Sequence, residues 1–525
     1  MRSLAAIAFS FAAAILALCL LPMGQWVFWA AGILAAAGGV VLLLPGLRTR
    51  RRLRIYLALI ALSLAAGLLY GRGWSALVAQ PVQEKCSTSH LFSATVCDWP
   101  EQRDSGWRVM VRLADARGAK AECYLSDESA ALLEPGQTLL GNAYWQDASV
   151  IKGTELSTFT SRGIFALLYC DEMPTVSQGQ AGSLRYLPQR MEKAFRDRIA
   201  RVWAHDGTVA ALLQAELLGD RSGISQELSD RFSEAGVSHL FAVSGLHCAF
   251  LLTLLGLLVG HRRRLLAAVG TVVLIFYMFM VGLTPSVVRA CIMQFFLLLA
   301  PLLLRDADPI TSLAAALGLI LLVNPYAAAS VSLQLSFGAM LGLILVTPRV
   351  YGFFQAKKQP RAKLAARACT FLTGTLSSTL GAMVFTVPLT AYYFGVFSTV
   401  APLTSLVCIP LASGNFMAGF LTVLVGFIWL PAARILGYVS WALSKLFLLA
   451  VDLAVAAPYH ALYTDTNPFL VWWLVFVYVL FILCVLTRDR ARKYALAAVL
   501  SLLALVLCIN LTTKRLAARL DPRRH

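Results

Sequence analysis

The stretch SHLFAVSGLHCAFLLTLLGLLVG, from Ser238 to Gly260, joins two histidines and two serines to a long apolar run. A helix that crosses a membrane needs about 20 mostly apolar residues, and this run approaches that length. Ionisable side chains in or beside such a run are costly in lipid and usually have a partner or a function. The stretch therefore predicts a membrane-embedded chain and a polar site near its start.

The composition of the whole chain agrees with this interpretation. Of its 525 residues, 59% are hydrophobic and 14% are charged, and the mean hydropathy is +0.72. Soluble domains carry about 25% charged residues. We therefore expect a polytopic α-helical membrane protein with about 11–13 spans. The predicted parts are N-terminal transmembrane helices (1–75), a β domain (76–184), linker helices at the membrane surface (185–236), a transmembrane domain (237–511) and a basic tail (512–525).

Basic clusters between the apolar runs predict which side each loop faces. Short loops rich in Lys and Arg stay on the cytoplasmic side of a membrane. With the N-terminus inside, alternation of the spans makes segment 76–184 extracytoplasmic. The run near 433–457 carries Lys445 and Asp452, and it either spans or lies in the membrane interface. The same alternation brings the basic tail outside, against the charge rule. The clusters that the rule uses are RTRRRLR (Arg48 to Arg54), HRRR (His261 to Arg264), the loop from Pro348 to Arg367 and RDRARK (Arg488 to Lys493).

The polar segment has the pattern of a small β domain. Runs such as WRVMVRLADA and AECYLSD alternate apolar and polar residues and are broken by turn residues. Five or six short strands in about 100 residues are typical of an OB-like barrel. Its aromatic residues either stack on nucleotide bases or fill the core. They are Trp99, Trp107, Tyr124, Tyr144 and Trp145.

Four of the 11 cysteines fall in this segment: Cys86, Cys97, Cys123 and Cys170. An extracytoplasmic compartment is oxidising, so one or two disulfides are expected there. Four cysteines allow three fully paired connectivities, which the sequence leaves open. Among them we favour Cys123 with Cys170.

An amphipathic helix is predicted in RYLPQRMEKAFRDRIARVW, which follows the β domain. Its apolar residues share one face, and cations crowd the remainder. The helix is either a strut on an anionic membrane surface or a guide for phosphates. The cations are Arg190, Lys193, Arg196, Arg198 and Arg201.

Ser244 and His247 are three residues apart and so share a face of a helix. A serine beside a histidine is compatible with an intramembrane hydrolase, but no oxyanion-hole motif accompanies the pair. The alternatives are a histidine bonded across a helix interface and a polar lining of a water-filled path. The sequence has no HExxH or HxH spacing and no GxxxxGK[ST] loop. We therefore expect no catalytic residue, no metal and no cofactor.

The run LLGDRSGISQELSDRFSEAGVSHLFAVSGLH, Leu217 to His247, resembles the signature of the ComEC competence family of inner-membrane proteins. The resemblance continues through GLTPSVVRACIM, through the Asp-Pro, Asn-Pro and Gln-Leu-Ser-Phe elements of 305–344, and through VPLTAYYFGVFSTVAPLTSLVCIPL. Two features depart from the family pattern. The chain stops at His525 without the metallo-β-lactamase-like domain of many members, and Ser405 stands where the family tends to have Asn.

The resemblance implies a channel that passes single-stranded DNA from the periplasm to the cytoplasm during natural competence. It implies as partners a periplasmic DNA-binding competence protein, a cytoplasmic helicase-like ATPase, a separate nuclease and membrane lipid, and it is compatible with an oligomer. The residues expected along the DNA path are Asp220, Arg221, His239, Ser244, His247, Arg289 and Gln334. The rival hypotheses are a secondary transporter for a small anionic solute and the intramembrane hydrolase described above.

Overall fold

The structure is a computed structural model, and it describes residues 3–463 except for 22–23, 44–50, 104–105, 115–118, 152–153, 156, 181, 261, 300–307 and 356–362. The predicted last spans and the basic tail lie outside the described residues. The chain divides into two compact units. The first contains Met1–Lys193 and Ile275–Leu333, and the second contains Ala194–Leu274 and Gln334–His525.

Helices dominate both units. In lipid every backbone polar group needs a partner, which an apolar segment obtains by forming a helix. In chain order the α-helices are α1 Ser3–Leu20, α2 Trp26–Leu43, α3 Arg51–Trp74, α4 Gln80–Gln83, α5 Ser157–Thr160, α6 Leu187–Val202, α7 Gly207–Leu218, α8 Gln226–Glu234, α9 Gly245–Val259, α10 Arg263–Met280, α11 Pro285–Leu299, α12 Pro309–Val323, α13 Val331–Leu345, α14 Thr347–Gln355, α15 Lys363–Phe394, α16 Ala401–Ile428 and α17 Leu430–Val455.

The described part contains five helices that are long and apolar enough to cross a membrane: Leu53–Gln83, Val331–Gln355, Ala365–Phe394, Ala401–Ile428 and Leu430–Val455. Shorter apolar helices accompany them, among them α1, α2 and α9 to α12. The predicted class, a polytopic α-helical membrane protein with an OB-like β domain, is confirmed. The span predicted from Ser238 has its α-helix only from Gly245, because a short 3-10 turn, Ser238–Phe241, precedes it.

The strands of the polar segment begin where the alternating pattern begins. In chain order the strands are β1 Ser89–Val96, β2 Glu101–Arg103, β3 Gly106–Leu113, β4 Lys120–Leu125, β5 Thr138–Asp147, β6 Val150–Ile151, β7 Thr154–Glu155, β8 Ile164–Cys170, β9 Thr175–Ser177, β10 Val396–Ser398 and β11 Ala461–Tyr463.

Five of these strands close into a barrel in the order β1-β3-β4-β8-β5, with β5 pairing back to β1. The β4–β8 pair is parallel and the other pairs are antiparallel. A five-stranded Greek-key barrel is the OB arrangement, so the predicted OB-like domain is confirmed. Side chains point alternately inward and outward along each strand. The inward ones, such as Val109, Val111 and Leu168, are fully buried and form the core.

Within the first unit, the turn after α12 attaches the membrane helices to the barrel. Asn324 donates from Nδ2 to the carbonyl oxygens of Thr160 and Ser161, at 3.2 and 3.0 Å. Two residues later, the ring of Tyr326 packs edge-on against Phe165 of β8, with centroids 5.7 Å apart. The Asn-Pro element of the sequence therefore acts as an anchor for the barrel.

The second unit is built around a helical hairpin. Trp429 alone connects α16 to α17, and at the opposite end β10 pairs with β11. Three phenylalanine rings join this hairpin to the signature region. Phe241 stacks on Phe232 at 4.5 Å and meets Phe447 of α17 edge-on at 5.5 Å.

Candidate functional site

Ser244 and His247 begin helix α9 together. The backbone N–H of Ser244 donates to Nδ1 of His247 at 3.0 Å, and Ser244 Oγ accepts from the backbone N–H of Leu246 at 3.4 Å. Ser244 Oγ also accepts from the backbone N–H of His247, which completes a capping box that satisfies free N–H groups of the first turn. Because Nδ1 accepts a backbone proton, the proton of the neutral ring is on Nε2. Ser244 Oγ also lies 3.2 Å from Nδ1 of His247. Both side chains serve in the helix cap, so the geometry supports a cap.

The ring of His247 lies against α16. It is 5% exposed, and its centroid is 5.0 Å from that of Phe416 in an edge-on contact. The side chain therefore faces a neighbouring helix. His239, by contrast, is exposed on the preceding turn, with Nδ1 3.1 Å from the carbonyl oxygen of Gly236.

Asp220 and Arg221 connect the signature region internally. Arg221 donates from Nε to the carbonyl oxygen of Phe241 at 3.2 Å and from Nη2 to that of Ser238 at 3.4 Å. Asp220 forms an ion pair with Arg196 of α6, at 3.2 Å. Arg221 thus supports the turn that leads into α9.

A cavity of about 160 Å³ opens beside the Arg221 guanidinium. Polar side chains and two of the stacked phenylalanines together form its wall. Its lining includes Arg221, Gln226, Ser229, Ser238, Phe232 and Phe241. Such a wall offers an anion one cation together with hydroxyl and amide donors.

Arg289 and Gln334 lie on different units. Arg289, in α11 of the first unit, is 6% exposed. Gln334, in α13 of the second unit, accepts from the hydroxyl of Tyr393 through Oε1 at 2.8 Å. Within the second unit the structure therefore brings together Asp220, Arg221 and the 238–247 turn.

Most of the cations predicted on α6 already have partners within the chain. Arg201 is exposed. The other contacts are Arg190 Nη2 to the Ser183 carbonyl oxygen (2.7 Å), Lys193 Nζ over the Trp99 ring (3.8 Å), Arg196 to Asp220 (3.2 Å) and the Arg198 guanidinium over the Phe427 ring (5.0 Å). Four of the five cations therefore contact other parts of the chain.

Glu216 and Asn415 form a buried acid–amide pair that the sequence did not predict. Glu216 of α7 is 2% exposed and accepts from Asn415 Nδ2 of α16 at 2.8 Å. Asn415 Oδ1 is buried and has no hydrogen-bond partner among the described residues. With 12 residues, α7 is too short to span. Burial raises the pKa of Glu216 to about 8. Neither residue belongs to a motif, so only their contact reveals the pair.

The two ionisable residues that stood out in α17 are paired. Lys445 forms an ion pair with Asp206 at 2.7 Å, and Asp452 forms one with Arg231 of α8 at 3.2 Å. These contacts account for charges on an otherwise apolar helix, because a paired charge is less costly to place there.

The barrel separates the aromatic residues that the sequence grouped. Trp145 is 2% exposed and belongs to the core, and Trp107 packs against that core. The indole of Trp99 donates to the carbonyl oxygen of Gln189 at 2.8 Å, at the start of α6. Of the five, Tyr124 and Tyr144 lie on the outer face of the sheet.

The favoured cysteine pair lies inside the barrel. The sulfurs of Cys123 on β4 and Cys170 on β8 are 3.5 Å apart, and both cysteines are thiols in the structure. The hydrogen bond with Cys170 and burial raise the pKa of Cys123. The disulfide stays a prediction, which this contact makes geometrically reasonable.

An OB-like barrel in one unit, together with helices that are long and apolar enough to cross a membrane, defines a polytopic membrane protein with an OB-like domain. The chain belongs to the competence protein family, whose sequence pattern, described as "Competence protein", matches residues 217–490.

One relative is similar to this chain over part of its length. The chain is 27% identical over 202 residues to ComE operon protein 3 of Bacillus subtilis (strain 168). The aligned region covers 38% of this chain and 24% of the relative, so the chain spans about a quarter of that protein's length. No solved structure matches the chain.

Proposed function

We propose that this chain forms the passage by which single-stranded transforming DNA crosses the cytoplasmic membrane, from the periplasm to the cytoplasm. The observation that carries the proposal is the match to the competence family over residues 217–490, which includes Arg221, the 238–247 turn and the α16–α17 hairpin. The helical membrane architecture and the OB-like barrel support it.

In this proposal the barrel lies in the periplasm and receives the strand. The positions of the basic loops support that side, since Lys/Arg-rich loops remain cytoplasmic. OB-like barrels bind single strands by stacking bases on aromatic rings beside cationic side chains. The strand then reaches the 238–247 turn, where Arg221 and the adjoining cavity offer a phosphate contact.

Passage requires contacts that hold the strand only weakly. A few cations such as Arg221 and Arg289 meet this need better than a dense basic surface, because conduction requires entry and release at each position. His239 and Gln334 add polar atoms to the proposed path. Ser244 and His247 support the proposed path indirectly, because their capping box determines where α9 begins.

The proposal assigns energy supply and strand degradation to other proteins. A cytoplasmic helicase-like ATPase pulls the strand, a periplasmic DNA-binding competence protein delivers it, and a separate nuclease removes its complement. Membrane lipid surrounds the spans, and an oligomer is compatible with this arrangement.

The test follows labelled DNA in a host that lacks the gene. We expect labelled DNA to reach the periplasm but not the cytoplasm, and transformants to fall to background. The parent gene on a plasmid restores both, and an Arg221→Gln copy restores them only in part, because it removes the cation of the cavity. Normal transformation in the deletion strain would contradict the proposal.

A further inference from the structure

Four neighbouring strands of the barrel place one arginine and three tyrosines in a single row across the sheet. Arg108 on β3 pairs with Tyr124 on β4. Tyr124 pairs with Tyr169 on β8, and Tyr169 pairs with Tyr144 on β5. Neighbouring strands lie about 4.8 Å apart, so the row is continuous. We refer to Tyr124, Tyr169 and Tyr144 as the tyrosine row.

The tyrosine row lies on the outer face of the barrel. The residues next to it in sequence, Cys123, Leu168 and Trp145, point inward and are at most 2% exposed. Since side chains alternate along a strand, the tyrosines point outward. Tyr144 and Tyr169 are 45% and 39% exposed, so their rings are accessible to a ligand from solvent.

The rings are already arranged for stacking. Those of Tyr124 and Tyr169 are 5.1 Å apart and nearly parallel, at 12°. Below them, the carboxylate of Glu122, which is fully buried, accepts from the hydroxyl of Tyr124 at 3.0 Å and from Arg108 Nη1 at 3.3 Å. This buried anchor holds both side chains in place, so little ordering is required when a ligand binds.

A cluster of ion pairs adjoins the tyrosine row at Arg108. Three guanidinium groups, those of Arg103, Arg108 and Arg162, meet two carboxylates, those of Glu101 and Glu122. The side chains of Arg103 and Arg162 are 52% and 48% exposed, that of Glu101 is 48% exposed, and that of Glu122 is enclosed. Two cations and one carboxylate of this cluster therefore face solvent, a positive balance that complements a phosphate backbone.

We propose that the tyrosine row is a binding site for single-stranded nucleic acid, whose bases stack on the exposed tyrosines while Arg103 and Arg162 contact its phosphates. Stacking of this kind tolerates any base, because each base has a π face. The inference rests on the proposed function for its biological ligand, since it places the first contact of the incoming strand on this face of the barrel.

Binding is tested on the purified full chain in lipid nanodiscs, by the fluorescence anisotropy of a labelled oligothymidine at one fixed salt concentration. We expect Tyr169→Ala to raise the Kd about 5- to 150-fold, the range for loss of one base–aromatic stack. Tyr169→Phe keeps the ring and should bind like the parent. An oligonucleotide of the same length without bases should bind weakly and should not respond to either substitution.

Two further variants keep the test decisive. Tyr144→Ala probes the same row from β5 if Tyr169→Ala fails to fold, as judged by thermal unfolding. Leu132→Ala changes a barrel side chain that is 79% exposed and outside the row, and should bind like the parent. Parent-like binding by folded Tyr169→Ala and Tyr144→Ala, or equal affinity for the oligonucleotide without bases, overturns the proposal.

The outcomes for the tyrosine row and for the passage can be separated. Intact binding by the tyrosine variants, together with loss of DNA entry in the deletion strain, overturns the site and keeps the proposed function. Weakened binding by those variants, together with normal transformation in the deletion strain, overturns the proposed function and supports the site.

Discussion

Glu216 illustrates how one side chain couples the stability of this protein to pH. In the fold its pKa is about 8, against an ordinary value of 4.5, because burial penalises the carboxylate. The folded state therefore favours the protonated acid. The stabilisation that this proton provides is complete below pH 4.5 and is lost as the pH rises through about 8.

Replacing Glu216 by Gln should remove this dependence. The amide of Gln is neutral at every pH, and its oxygen can still accept from Asn415 Nδ2. We expect the apparent Tm of the parent to fall between about pH 5 and pH 8 more steeply than that of Glu216→Gln. Intrinsic fluorescence of the purified chain during heating measures both. The exposed Glu128→Gln is the control, and identical slopes in parent and Glu216→Gln would refute the assignment.

At the scale of elements, α13 and α15 of the second unit cross at a pair of glycines. A Cβ added to Gly342 would overlap the carbonyl oxygen of Gly381. Beyond this crossing, Thr347 Oγ1 donates to the carbonyl oxygen of Ser377, at 3.3 Å. The close approach of the two helices therefore requires glycine at this crossing. Small residues between membrane helices allow such approaches in general.

Gly342→Ala should therefore destabilise the helix pair by about 1–3 kcal/mol, the usual cost of overpacking. Gly374→Ala in α15 is the matched control, because a Cβ there meets no described atom within 4 Å. It should be neutral or stabilising by up to about 1 kcal/mol, since Ala favours a helix over Gly. Denaturation of the two purified variants in detergent compares them. Equal stability would contradict the close crossing.

At the scale of the whole molecule, the redox state of two barrel cysteines tests the proposal that the barrel lies on the periplasmic side of the membrane. Cys123 and Cys170 are 3.5 Å apart inside it, so their oxidation state reports the compartment. We expect a disulfide between them in protein taken from cells under alkylating conditions, detected by peptide mapping without reduction. The barrel cysteine Cys97 should be alkylated. Free thiols at both positions would argue for a barrel in the cytoplasm.

Several features of this fold could be predicted from sequence, because they depend on local periodicity and composition. Apolar runs predicted the helices, and alternation in residues 76–184 predicted the OB-like barrel. The signature from Leu217 to His247 predicted the family, which the match over 217–490 confirms. The sequence did not predict the first residue of the helix after Ser238. A capping box at Ser244 determines where that helix begins.

By itself, then, the sequence determined that this is a membrane protein with an OB-like domain and a competence-family signature. Only the tertiary structure decided that His247 faces Phe416, that Glu216 meets Asn415, and that tyrosines from three strands form one row. The physical reason is the range of the interactions. Periodicity determines which face a side chain occupies, whereas strand register and helix contacts determine which faces meet, and these depend on residues far apart in the chain.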